Sequence, residues 1–371
     1  MTQGFTFKVH HTDGKARTGL ISTPNGDVPT PAFMPVGTRA SVKAVDPDEV
    51  RASGASILLG NTYHLMLRPG EELIQRAGGL AAFMGWHGPT LTDSGGYQVF
   101  SLGDRVKVTD KGVIFSSHID GTREELTPER AIQIQAALGS DIAMVLDECP
   151  PGTADRDQVA RAMERTTAWA KRQVGAPRPQ GQALFGIVQG GTHVDLRIEH
   201  LAELRELGFD GLALGGLSVG EPIDEMYQVI SQVAPRMPED RPRYLMGVGT
   251  PEDLLEAIEN GIDMFDCVMP TRNARNGQAF VHGSRINIKQ ARYAEDPLPL
   301  EPGCSCPCCT RFERRYLRHL FMVSEMLVQR LLTLHNLHHY GCLMAGAREA
   351  IAKGRFMEFK NGWKGELRDE S

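Results

Sequence analysis

The sequence predicts an α/β fold, a (β/α)8 TIM barrel with an inserted zinc-binding subdomain after the eighth strand. Three observations point there: eight short β-prone runs separated by amphipathic segments, capped helix starts in the intervals, and a cysteine cluster beyond the last run. The runs are Phe33 to Gly37, Ile57 to Asn61, Thr90 to Asp93, Ile142 to Asp147, Leu184 to Gln189, Leu212 to Gly216, Tyr244 to Val248 and Asp263 to Val268. Eight staves are the number that closes such a barrel.

Thr127 precedes Pro128 and Glu129, and Thr250 precedes Pro251 and Glu252, so each sets a capping hydroxyl ahead of a first-turn proline and acid. Residues 106–125 alternate polar and apolar side chains around Lys111-Gly112, which reads as a β-hairpin inserted after the third strand. A long helical run is expected from about Phe312 to His339, with Leu343 to Ile351 as the eighth outer helix. On this reading residues 1–371 form one catalytic barrel domain, and residues 270–340 are an insertion within it.

With 371 residues, 41% of them apolar and 23% charged, the chain can bury a sizeable core and does not resemble a disordered protein. The N-terminus lacks a signal pattern and no apolar run reaches the ~18 residues that span a bilayer, so the expected compartment is the cytoplasm. Four of the seven cysteines crowd into Cys304, Cys306, Cys308 and Cys309. Such crowding suits a metal site in a reducing compartment better than a disulfide framework. The net charge of −6 is unevenly spread: residues 267–324 carry nine basic and four acidic side chains, +5 there against −11 elsewhere. A basic island in an acidic chain suits a polyanion gripped through its phosphates, although charge alone does not distinguish this from a solvated surface.

Catalytic groups in these barrels lie at the C-terminal strand ends. Three strands end in aspartate motifs: LTDSGG with Asp93, VLDEC with Asp147 and MFDC with Asp266. Strands five and six end at Gln189 and at Gly215-Gly216. Glycines let a backbone approach a planar ligand closely, and a glutamine amide both donates and accepts, a combination suited to a nucleobase edge. Each aspartate alone serves equally well as a helix cap. Three carboxylates on one rim are harder to explain that way, because their repulsion is costly without a function.

Cys304, Cys306 and Cys309 form C-x-C-x2-C in a Pro/Gly loop, and His335 follows 26 residues after Cys309. Three thiolates and an imidazole suit tetrahedral zinc, with Cys308 a rival thiolate and His319, His338 and His339 rival imidazoles. Four protein ligands would leave no open position, so this zinc would hold the insertion together rather than catalyse.

Seven motifs stand in order: NTYHL from Asn61, LTDSGGYQVFS from Leu91, LDEC from Leu146, GIVQGG from Gly186, GGLSVGE from Gly215, YLMGVG from Tyr244 and FDCVMPTRNARNG from Phe265. Together with the metal pattern they resemble the queuine tRNA-ribosyltransferases, also called tRNA-guanine transglycosylases, over nearly the whole chain. The resemblance implies that Asp266 attacks the ribose anomeric carbon and that Asp93 is the acid/base. It implies that Asp147, Gln189 and the backbone of Gly216 and Leu217 read the base edge, with Tyr97 and Met246 against its faces. Thr271, Arg272 and Arg275 would contact flanking nucleotides, and Cys304, Cys306, Cys309 and His335 would hold one structural Zn2+ per subunit.

The implied reaction exchanges the wobble guanine of U-G-U anticodons, in the aspartate, asparagine, histidine and tyrosine tRNAs, for 7-aminomethyl-7-deazaguanine. It passes through a covalent enzyme–tRNA intermediate and belongs to queuosine biosynthesis. Cys149 and Val219 resemble the bacterial branch, which pairs with itself as a homodimer. The basic insertion would hold the tRNA. Two other readings of the same residues are a barrel enzyme whose aspartates bind a catalytic metal, and a tRNA-binding subunit without activity.

Overall fold

The structure, a computed structural model, describes residues 2, 4–103 and 106–364. Its central parallel sheet contains Leu58–Gly60, Thr90–Thr92, Ile142–Met144, Ala183–Val188, Gly211–Leu214, Arg243–Leu245 and Met264–Asp266. The two end segments, Ala32–Met34 and Val36–Gly37, are consecutive in the chain on either side of Pro35. Ala32–Met34 pairs with Met264–Asp266 and Val36–Gly37 with Leu58–Gly60, so the sheet closes as eight staves. Every expected run holds one stave. Packing inside the barrel and helices outside bury both faces of each strand, which is why Ala183–Val188 is buried at all six positions and reads as a continuous apolar run.

Helices Pro128–Leu138, Arg156–Val174, Val194–Arg205, Ile223–Val233 and Pro251–Glu259 fill the later intervals. Thr127 and Thr250 cap as expected, accepting from the amides of Arg130 and Asp253. No helix among the described residues is long and apolar enough to cross a membrane.

The structure departs from expectation in three places. Residues 106–126 form a three-stranded antiparallel meander, Val106–Thr109, Gly112–Ser116 and Arg123–Leu126, rather than a two-stranded hairpin. The charged Arg123, Glu124 and Glu125 hid its third strand. The helical run beyond Phe312 is two helices, Arg314–Met322 and Met326–Ala352. Between them Ser324 adopts φ 61°, and the Glu325 amide reaches back to the Leu320 carbonyl at 2.9 Å. That is a Schellman stop, built without the glycine that would announce it. Conversely, Leu343 to Ile351 is no separate helix but continues from His335 and His339. Gly341 does not end this helix; it lets it press against Ser53 and Gly54, where an added Cβ would lie 1.9 Å from the Ser53 carbonyl oxygen.

The third departure is an N-terminal antiparallel sheet, Thr6–Asp13, Ala16–Thr23 and Gly26–Thr30, laid over the end of the barrel where the strands begin. Phe5 meets Phe185 edge-on, with ring centroids 5.9 Å apart. Asp141, Asp210 and Asp263, each one residue before a barrel strand, accept the amides of Thr90, Leu184 and Arg243 on the preceding strand. Their other contacts reach the N-terminal segment: Asn25 to Asp141, Thr2 to Asp210 and Arg17 to Asp263. The barrel core lies above them, filled by side chains such as Phe185, Tyr244 and Met264. Beyond the eighth strand a second, smaller core gathers Ala279, Ile286, Leu300, Cys306, Leu317 and Leu332.

Arg17 and Asp263 form a buried bidentate pair, with Nε and Nη2 at 2.9 and 2.5 Å from the two carboxylate oxygens. Arg17→Met strands the carboxylate in the interior and is expected to cost about 3–5 kcal/mol in urea unfolding. Adding Asp263→Asn should recover part of that loss, because the unpaired charge goes with it.

Candidate active site and metal cluster

At the C-terminal ends of the staves a cavity of about 460 Å³ opens. Asp93 follows the third strand, Asp147 lies three residues beyond the fourth, Gln189 follows the fifth, and Asp266 ends the eighth. All four line this cavity, together with Gly216, Leu217, Tyr97, Met246 and Arg272. Tyr97 is exposed and Met246 half-buried, so the mouth keeps apolar surface open to a ligand. Thr271 and Arg275 are on the same helix as Arg272 but do not line the cavity. The buried Thr271 hydroxyl donates to the Val268 carbonyl, and Arg275 Nη1 donates to the Thr271 carbonyl at 2.9 Å.

The three carboxylates differ in their surroundings. Asp93 is buried; Oδ1 accepts the amides of Thr62 at 2.8 Å and Gly95 at 3.2 Å, and Oδ2 accepts Asn61 Nδ2 at 2.6 Å. Burial pushes its pKa up to about 7 and the charge of Asp266 adds to the push, while the Thr62 and Gly95 amides oppose it. A carboxyl so poised both gives and takes a proton near neutrality. Asp147 is pushed up to about 6 by burial, against the pull of Gln189 Nε2 at 2.6 Å.

Asp266 is likewise raised by burial, and the Tyr244 hydroxyl and Gly247 amide hold it back. Both donors, at 2.5 and 2.8 Å, reach Oδ1. Oδ2 accepts no hydrogen bond among the described residues. None of these contacts to Asn61, Thr62, Tyr244 or Gly247 was legible beforehand, although NTYHL and YLMGVG contain all four.

Two glycines make room for Gln189 and Ile187. A Cβ on Gly216 would stand 2.3 Å from Gln189 Oε1, and one on Gly215 would stand 2.6 Å from Ile187. Gln189 Oε1 itself is buried without a partner among the described residues, an acceptor left open beside the cavity.

The cysteine cluster assembles as spaced. Ligand atoms of Cys304, Cys306, Cys309 and His335 all lie within 4.8 Å of one another, a set that could hold a metal ion. His335 Nδ1 is 3.7, 3.5 and 3.3 Å from the three sulfurs. Zn–S bonds of ~2.3 Å and Zn–N bonds of ~2.0 Å at tetrahedral angles separate sulfur from nitrogen by about 3.5 Å, so the donor set fits. The other ring nitrogen faces the Phe280 carbonyl oxygen at 2.7 Å, which orients the imidazole from behind. Of the rivals, His339 lies 3.6 Å from Glu301, Cys308 packs in the small core, and His338 contacts Ser305, Cys342 and Cys304 itself but stands outside the four-residue set. Cys306→Ser is expected to lower bound metal by atomic absorption and to lower the thermal midpoint, since the site contributes folding free energy. Full metal retention would mean that Cys308 takes its place.

The chain matches the family described as queuine tRNA-ribosyltransferase over residues 12–368. It is 60% identical over 365 residues to the queuine tRNA-ribosyltransferase of Sorangium cellulosum (strain So ce56), covering 98% of this chain and 92% of the relative. It is 55% identical to the protein of that name in Cereibacter sphaeroides (strain ATCC 17029 / ATH 2.4.9), with 97% and 96% covered. The homologue in Azotobacter vinelandii (strain DJ / ATCC BAA-1303) is 54% identical, with 95% of each chain covered. A barrel with these strand-end groups and a family match spanning almost its whole length places this chain in the queuine tRNA-ribosyltransferase family.

Proposed function

We propose that this chain is a tRNA-guanine transglycosylase of queuosine biosynthesis. It exchanges the wobble guanine of U-G-U anticodons, in the aspartate, asparagine, histidine and tyrosine tRNAs, for 7-aminomethyl-7-deazaguanine. The observation that carries the reading is the convergence of Asp93, Asp147, Gln189 and Asp266 in one cavity with a proton-exchanging carboxyl beside a free carboxylate oxygen. Asp266 Oδ2 attacks ribose C1′ as the C1′–N9 bond breaks. Guanine takes the bonding pair and a proton from Asp93. The incoming base then returns its N9 proton to Asp93 as that nitrogen displaces Asp266, so C1′ is inverted twice, as in a retaining glycosidase.

Gln189, Asp147 and the Gly216–Leu217 backbone read the base edge, with Tyr97 and Met246 against its faces. The anticodon loop supplies a single-stranded guanine that can be splayed into the cavity. Thr271, Arg272 and Arg275, on the helix that follows Asp266, contact the nucleotides flanking the target. Residues 270–340 form the tRNA-contacting insertion, held by one structural Zn2+ on Cys304, Cys306, Cys309 and His335. Lys289, Arg285 and Arg311 there lie over the rings of Phe321, Phe280 and Phe312, which keeps basic heads at the surface. The enzyme acts in the cytoplasm as a homodimer.

Purified protein is expected to incorporate radiolabelled guanine into unmodified tRNA bearing a U-G-U anticodon. Asp266→Ala should lower that rate by at least about a thousandfold, as loss of a covalent nucleophile does. Incorporation by neither protein would leave a tRNA-binding subunit; equal incorporation would put the nucleophile elsewhere. The pH profile of kcat/KM for tRNA should fall above pH ~7, where Asp93 loses the proton guanine needs, and fall at acid pH as Asp266 becomes protonated. A flat profile from pH 6 to 9 would remove Asp93 from the proton path.

A further inference from the structure

Arg197, on helix Val194–Arg205, is wholly buried and forms no ion pair with a carboxylate among the described residues. Burying a guanidinium is costly unless its donors are used. Here they are spent on four carbonyls: Nε on Gly191 at 2.6 Å, Nη1 on Val188 at 3.1 Å, and Nη2 on Gly215 at 2.9 Å and Gly216 at 3.3 Å. Two of these belong to the end of the fifth barrel strand and its loop, and two to the loop after the sixth. One rigid, planar fork therefore staples together the two loops that carry Gln189 and Gly216–Leu217. The fit is close, since a Cβ on Gly190 would lie 2.5 Å from Arg197 Cγ. One turn along the same helix, His200 Nδ1 accepts the Gln189 amide at 2.9 Å.

The polarity of the contact matters more than its strength. Arg197 does not line the catalytic cavity; Gly216 and Leu217 do. In a trans peptide the C=O and N–H point in opposite directions. With the Gly215 and Gly216 carbonyls turned back to Arg197, the amides of Gly216 and Leu217 are turned forward into the cavity. Neither amide has a partner among the described residues.

We propose that Arg197 is a positioning residue for base selection: by holding these two carbonyls it aims two backbone donors at an oxo group on the incoming ring. A 6-oxopurine or 6-oxo-7-deazapurine satisfies such donors. A purine without the oxo group leaves at least one of them buried and unpaired, which is the stronger form of discrimination. The inference rests on the base-exchange reading and deepens it.

The test compares guanine with 2-aminopurine, the same ring without the 6-oxo group, as ligands of the full-length protein by calorimetric competition without tRNA. Wild type should prefer guanine. In Arg197→Lys, which keeps the charge but cannot span both loops, the preference should fall by about tenfold, roughly the worth of one well-made hydrogen bond. Affinity for 2-aminopurine should stay near the wild-type value. Arg197→Met should lose more of the preference, and if it does not fold, Arg197→Lys decides. An unchanged preference, or equal losses on both ligands, overturns the role while leaving base exchange standing. Wild type that binds neither base overturns both.

Discussion

Closure of a parallel sheet imposes the constraint on which the rest depends. When eight strands run the same way round a barrel, all their C-terminal ends open on one face, and whatever polar groups follow them meet there. Asp93, Asp147, Gln189 and Asp266 are far apart in sequence and reach one cavity for this reason alone. The same closure withdraws them from water, which turns ordinary carboxylates into groups whose ionisation is set by a few neighbouring donors.

The two ends of the barrel use aspartate in opposite ways. Where strands begin, Asp141, Asp210 and Asp263 are saturated by backbone amides and by the N-terminal segment, so they lace neighbouring strands together and have nothing left for chemistry. Where strands end, Asp266 keeps one oxygen free of hydrogen bonds among the described residues, and burial holds Asp93 well above the usual carboxylate range. Chemical competence here is a matter of which hydrogen bonds are withheld.

Much of this was legible in the sequence, and the reasons differ by element. Buried parallel strands announce themselves as short apolar runs, and Thr127 and Thr250 mark helix starts by chemistry local to four residues. The N-terminal hairpins carried a signal in Asp13-Gly14 and Asn25-Gly26 that strand counting passed over. The stop at Ser324 carried none, because its left-handed residue is not glycine. Metal spacing pointed to the three cysteines and the resemblance to His335; His338 and His339 lie one turn along on the same side of the helix, so spacing alone could not separate them from His335. Tyr244 and Arg197 were invisible for a deeper reason: their partners are backbone groups and a carboxylate brought near by closure, which no local pattern encodes.

The unbroken run of Met326–Ala352 has a consequence for how the molecule works. Its first half presents His335 to the three cysteines, and its second half packs Tyr340 against Phe33 of the first barrel stave, with ring centroids 4.7 Å apart. A single rod thus belongs to both cores, with no hinge along its length. The surface proposed to grip RNA and the cavity proposed to react on it are therefore fixed to one another. On that proposal the two cores do not close on each other around a bound RNA, and the deformation needed to present the base would fall on the nucleic acid.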